Sequence, residues 1–163
     1  MIRLDERDIQ ILSILQREGR IAKTELARRV NLSPTPCWAR LKRLQEARLI
    51  EGFGAFLSTD LVNNITLVIM EVELESHQQQ DFDRFELAVR DHSEVLECWA
   101  VGGGIDYFLK VATASVNDYQ RFVDDLLTAK LGLKRYYSYI VTRQVKRSRA
   151  IPDKLLRNLL NME

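Results

Sequence analysis

Residues 31–44 read Asn31-Leu32-Ser33-Pro34-Thr35-Pro36-Cys37-Trp38-Ala39-Arg40-Leu41-Lys42-Arg43-Leu44. Asn31 tolerates the left-handed backbone that closes a helix, Leu32 can plug a core, and Ser33 before Pro34 predicts a capped start to the next helix. Cys37, Leu41 and Leu44 recur at four- and three-residue spacing and form one apolar stripe, with Trp38 at its margin. Thr35, Ala39, Arg40, Lys42 and Arg43 are therefore expected to point away from the core, where a helix lying against an anionic duplex needs donors and cations. An ordinary solvated helix face is the competing reading of the same residues.

Upstream, a helix over residues 23–30 is expected to turn Leu26, Ala27 and Val30 inward; Ala22 at its cap position offers no acceptor, so packing must hold it. Two short helices joined by a turn of this kind make a helix-turn-helix, whose second helix presents its N-terminal residues to the major groove. Before it, Asp5 and Asp8 predict a reciprocal cap on a first helix bearing Ile9, Ile11, Leu12 and Leu15, stopped by Glu18-Gly19-Arg20.

Charge is distributed unevenly along the 163 residues. Residues 1–54 carry eleven Lys/Arg against seven Asp/Glu (net +4), residues 55–142 seven against fourteen (net −7), and residues 143–163 six against two (net +4). Both ends suit phosphate and the middle repels it. The two cysteines, Cys37 and Cys98, stand far apart without a CxxC, which fits a reducing cytoplasm, and the apolar stretch 65–74 is too short and too acidic to span a membrane.

Glu51-Gly52-Phe53-Gly54-Ala55-Phe56-Leu57 reads as a short β-ribbon or linker. Beyond it, Val68, Met70, Val72 and Leu74 alternate as one strand face. A helix with Phe82, Phe85 and Val89 follows, then strands at 95–101 and from Tyr107, a helix capped by Ser115 and carrying Tyr119, Phe122, Val123, Leu126 and Leu127, and a last strand ending near Arg143. The order βαββαβ predicts a ferredoxin-like α+β domain, two helices on one face of an antiparallel sheet, with a second copy covering the other face. The tail offers Lys146, Arg147 and Arg149, then a short helix opened by Pro152 with Leu155, Leu156, Leu159 and Leu160, docked on its own or a neighbouring subunit.

Gly102-Gly103-Gly104-Ile105-Asp106 supports two readings: a tight hairpin, or glycine N–H groups that approach an anion beside a carboxylate suited to an ammonium, the tools for an amino acid zwitterion. Catalytic chemistry is not expected. His77 and His92 form no metal cluster with the cysteines, Cys98 alternates within an apolar strand as a small core residue, and the glycine run does not open a helix with GK[ST]. No cofactor follows from these residues.

Leu32-Ser33-Pro34-Thr35-Pro36-Cys37 followed by Arg40-Leu41-Lys42-Arg43-Leu44, the opening Leu4-Asp5-Glu6-Arg7-Asp8, the Gly19-Arg20-Ile21 step and the stretch from Cys98 to Tyr107-Phe108-Leu109 together resemble the Lrp/AsnC family of bacterial and archaeal regulators. The resemblance implies a winged helix-turn-helix domain over 1–54, a linker over 55–64, a ferredoxin-like ligand-binding (RAM) domain over 65–143 and a tail over 144–163. It implies double-stranded DNA as partner, with Ser33, Thr35, Pro36, Ala39, Arg40, Lys42 and Arg43 at the interface. It also implies an amino acid effector between dimers that assemble into tetramers or octamers. The family's Gly-Asp-x-Asp-Tyr segment then places Gly102, Gly103, Gly104 and Asp106 at the effector, with Gly103 read as replacing its first acid. By position Ala100, Val116, Tyr139, Ile140 and Val141 line the same site. The alternatives are a regulator without ligand and an amino-acid-binding module or enzyme on a ferredoxin-like fold, from which the basic third helix separates the regulators.

Overall fold

The structure is a computed structural model that describes residues 3–55, 57, 65–158 and 160. The chain divides into two compact units, Met1–Phe56 with Lys146–Glu163 and Leu57–Val145. The C-terminal tail is thus part of the first unit rather than a segment by itself.

In the first unit, α1 (Glu6–Arg17) starts from the reciprocal cap: the Asp8 N–H donates to Asp5 Oδ1 at 3.0 Å and the Asp5 N–H to Asp8 Oδ2 at 3.0 Å. Helix α2 (Lys23–Arg29) has no side-chain cap. It ends in a Schellman motif: Asn31 takes φ 52°, its N–H donates to the Arg28 carbonyl, and the Leu32 N–H donates to the Ala27 carbonyl at 2.9 Å. That left-handed residue reverses the chain and turns Leu32 onto the core, after which α3 (Pro34–Glu46) begins.

Ser33 stands at the N-cap of α3 but its hydroxyl receives no capping bond, contrary to the expectation. The cause is local. Pro34 and Pro36 occupy the first and third helical positions and have no N–H, so the donor a capping serine most often uses is missing. The core of this unit joins Ile9, Ile11, Leu26, Ala27, Val30, Cys37, Leu41 and Leu44 with Leu156 of the tail helix α6 (Asp153–Asn158). Leu159, expected on that helix, lies outside the described residues. The ribbon expected at 51–57 is not seen: residues 51–55 and 57 form no strand, and Phe56 and most of the expected linker lie outside the described residues.

The second unit runs β1 (Thr66–Leu74), α4 (Gln79–Asp91), β2 (Val95–Ala100), β3 (Tyr107–Thr113), α5 (Val116–Thr128) and β4 (Leu133–Ile140). The four strands are antiparallel in the order β2-β3-β1-β4, the ferredoxin-like arrangement. Val68, Met70, Val72 and Leu74 of β1 and Tyr107, Leu109 and Val111 of β3 meet Phe85, Val89, Phe122, Val123 and Leu126 of the helices. Each fully buried side chain of this size contributes about 1.5–3 kcal/mol. Ser115 caps α5 as expected, accepting from the Asp118 N–H at 3.1 Å.

Cys98 is exposed, not the core residue that its alternation predicts. Strand β2 is an edge strand, so the side of Cys98 away from β3 has no neighbouring strand to bury it.

Candidate functional site

At about 100° per residue, Thr35 and Ala39 fall on the side of α3 opposite Cys37 and Leu41. Both are exposed, as are Ser33, Pro36 and Lys42. The Ser33 and Thr35 hydroxyls, with no partner among the described residues, and the small Ala39 are exposed on this side of α3, an arrangement that would leave room for a base edge. Lys42 stands further along, 3.7 Å from Glu46.

Arg40 and Arg43 do not point freely outward as expected. Arg40 Nη1 donates to Asp5 Oδ2 at 2.6 Å and Asp8 Oδ1 at 3.0 Å, and Arg43 Nη2 to Asp8 Oδ2 at 2.5 Å. Arg40 lies close enough to the edge of the apolar stripe for its long stem to reach back across α1. The two guanidiniums thereby compensate the carboxylate of Asp8, which is fully buried, and fasten α3 to the capped start of α1. Asp5 is held below the usual carboxylate range: burial alone would raise it, but the Asp8 N–H and the Arg40 guanidinium outweigh that cost.

Sequence reading also missed Lys23, whose Nζ sits 3.3 Å from the centroid of the half-exposed Trp38 ring and ties the start of α2 to α3. Only the fold brings that pair together. On the α2 surface, Glu25 is pulled down to about 2 by hydrogen bonds from Arg28 and Arg29, so those cations are partly neutralised.

In the second unit the expected effector residues separate into two groups. Gly102, Gly103, Gly104 and Asp106 lie between β2 and β3, beside the Val72–Leu74 end of β1, and Ala100 ends β2 next to them. Tyr139 and Ile140 pair with Ile69 and Val68, and the Val141 N–H donates to the Leu67 carbonyl, at the other end of β1. Val116 follows β3 at that same end, where Thr113 pairs with Thr66. Six residues of strand separate the levels of Leu67 and Glu73, on the order of 20 Å. One subunit therefore does not close a pocket from this set. An open cleft between α4 and β2 holds Ala100 with Glu86, Cys98 and Tyr107, and none of the other expected effector residues.

Asp106 is partly engaged. Its Oδ2 accepts from the Leu74 N–H at 2.8 Å, beside the bulge in β1, and its Oδ1 lies 3.2 Å from His77 Nε2. His77, in the loop after β1, is a neighbour that the sequence did not reveal. Tyr107, beside Asp106, donates its hydroxyl to Glu86 and has its pKa pushed far up by burial and that carboxylate.

Gly103 has φ 143°, a region that side chains avoid, whereas Gly104 has no such constraint and nothing within 4 Å of an added Cβ. Counted back from Asp106-Tyr107, the Gly-Asp-x-Asp-Tyr pattern that the resemblance implies would put its first acid at position 104 rather than 103. Gly103→Ala is expected to cost about 1–3 kcal/mol, while Gly104→Asp is expected to change stability by less than about 0.5 kcal/mol. Urea melts of the two variants check this, and equal losses would show that the Gly103 backbone imposes no such constraint.

Two family descriptions match the chain: "Lrp/AsnC ligand binding domain" over residues 67–151 and "Winged helix-turn-helix DNA-binding" over residues 4–51. The chain is 48% identical over 149 residues to the transcriptional regulatory protein DoeX of Halomonas elongata, covering 91% of this chain and 94% of that one. It is 36% identical over 145 residues to the leucine-responsive regulatory protein of Escherichia coli, covering 89% and 88%. A transcriptional regulator of Neisseria meningitidis solved as an L-Met complex superposes with TM-score 0.85 at 35% identity, over 94% of this chain and 99% of that one. An AsnC family regulator of Agrobacterium tumefaciens gives 0.86 at 30% identity, over 93% and 99%. With its helix-turn-helix unit and its ferredoxin-like unit, the chain belongs to the Lrp/AsnC family of DNA-binding transcription regulators and is not an enzyme.

Proposed function

We propose that this regulator acts in the cytoplasm as a homodimer whose paired α3 helices read two half-sites about one helical turn apart. Dimers assemble further into tetramers or octamers, and an amino acid bound between dimers changes that assembly and hence DNA binding. The genes controlled are those of amino acid metabolism or transport. The effector reading starts from the separation of the 102–106 group from Val116, Tyr139, Ile140 and Val141, which a second copy would have to bring opposite each other. The L-Met complex of the Neisseria relative supports an amino acid as the ligand.

Support for a homodimer comes from the sheet face turned away from the helices. Trp99, Phe108, Glu71 and Tyr137 form one row across it, and Glu97, Lys110, Ile69 and Tyr139 the next. Trp99, Tyr137 and Tyr139 are about half exposed there, an apolar area that a second copy would cover.

A regulator without ligand is the second reading. It is favoured by the engaged carboxylate of Asp106 and the missing acid at Gly104. Calorimetry with each of the twenty amino acids, followed by light scattering in the presence of any that binds, separates the two. The effector reading expects saturable binding by at least one amino acid and a shift in assembly mass; no heat with any of them would leave the second reading.

A further inference from the structure

We propose that Lys23, held beside the exposed face of α3 by the Trp38 ring, is a phosphate contact on the duplex that α3 reads, with Trp38 as its positioning residue. The proposal rests on α3 being the reading helix and adds a contact from α2.

Trp38 stands three residues after Thr35 and four before Lys42, so the three side chains are neighbours on one side of α3. Thr35 and Lys42 are exposed and Trp38 is 43% exposed, while Leu41 of the core follows Trp38 by three residues. The ring therefore lies on the flank of the exposed face, at its border with the core. A helix seated in the major groove turns its centre line to base edges and its flanks to the phosphates of the two strands. Lys23 Nζ sits 3.3 Å from the centroid of the Trp38 ring, which puts a cation from α2 on that flank.

The kind of partner decides what this cation can do. Arg28 bonds to Glu25, Arg29 to Glu18 and Glu25, Arg40 to Asp5 and Asp8, and Arg43 to Asp8, so each of these faces a carboxylate that offsets its charge. Lys23 is exposed and has no carboxylate partner among the described residues. An aromatic face holds an ammonium without neutralising it, and an ammonium has three N–H donors, of which one ring face cannot occupy all. Nζ thus stands beside the groove-facing helix with its full charge and with donors to spare. Because the ring already restrains the long stem, little side-chain freedom is lost when a phosphate oxygen arrives.

The test uses the full chain, with fluorescence anisotropy on a duplex from its own promoter and on an unrelated duplex of equal length, over a salt series. Lys23→Gln is expected to weaken binding to both duplexes by the same factor. The slope of log affinity against log salt is expected to fall by about 0.9 per DNA-bound subunit, the value of one phosphate contact. Lys23→Arg keeps the charge and the ring contact and is expected to keep the slope. In a Trp38→Leu background, Lys23→Gln is expected to cost a smaller factor than in wild type, because the ammonium is no longer held in place. Trp38→Phe keeps a ring and is expected to restore most of that difference.

A Lys23→Gln variant that melts like wild type and binds both duplexes with unchanged affinity and slope overturns the proposal. Weaker binding with an unchanged slope also overturns it, because Lys23 would then act only by tying α2 to α3. An equal cost of Lys23→Gln in the Trp38→Leu background overturns the positioning role of Trp38. The reading beneath the proposal fails separately: should Ala39→Glu leave promoter binding unchanged, α3 does not enter the groove.

Discussion

Asp8→Ala is expected to destabilise the DNA-binding unit by about 2–4 kcal/mol, a large part of the roughly 5–15 kcal/mol that holds a domain together. The carboxylate is fully buried, returns the cap to the Asp5 N–H, and receives Arg40 and Arg43. Its removal leaves one orphan N–H at the start of α1 and two cations without their shared partner. The cost stays below the upper range for a buried pair because the Arg40 and Arg43 side chains are 29% and 45% exposed, so water replaces part of what they lose. Arg43→Ala should cost less, since Asp8 keeps Arg40.

Unfolding in urea, followed by Trp38 fluorescence in a Trp99→Phe background, measures the first unit separately. A change under about 0.5 kcal/mol would show that the ion cluster does not hold α3 in place. The pH dependence has a defined sign. The lowered Asp5 carboxyl stabilises the fold above its unfolded pKa, about 3.9, and that contribution disappears as pH falls through the lower folded value. Acid weakening of the first unit therefore belongs below about pH 4.

If the sheet face forms the proposed homodimer, Ile69→Glu or Phe108→Glu is expected to leave a monomer and weaken duplex binding by at least about 100-fold. These side chains lie on the sheet face away from the helices and are only half-buried within one subunit, so a carboxylate there costs the monomer little. Against a second copy, the same carboxylate would be desolvated beside Glu71 or its neighbours. Two half-sites bound by linked helices gain about 10²–10⁴ over one, and that gain is lost with the dimer. Light scattering reads the mass and anisotropy the affinity; a variant that remains dimeric with normal DNA binding would place the interface elsewhere.

Local signals carried most of the fold. The Asp5/Asp8 cap, the left-handed Asn31 and the Ser115 cap each involve residues within a few positions of one another, and the sequence displays them directly. What the sequence hid depends on residues far apart. Helical spacing turns Arg40 and Arg43 outward, whereas their partner Asp8 lies more than thirty residues away on a different helix. Cys98 alternates like a core residue, and only the strand order shows that its strand is an edge. The candidate effector residues looked like one site in the family pattern. The register of β1 shows them in two groups at opposite ends of the sheet. The docking of the tail on α1 likewise depends on Gln16 and Ile151, which no local spacing connects.

Competition on DNA tests the regulator most directly. Full-length protein is titrated into a labelled duplex from its own promoter region and into an unrelated duplex, at several salt concentrations, with and without the amino acid that binds by calorimetry. The account predicts at least about 10³-fold preference for the promoter duplex near physiological salt, and a change of about fivefold or more in its affinity when the amino acid is present. Equal affinity for the two duplexes at every salt concentration, unmoved by the amino acid, would contradict it.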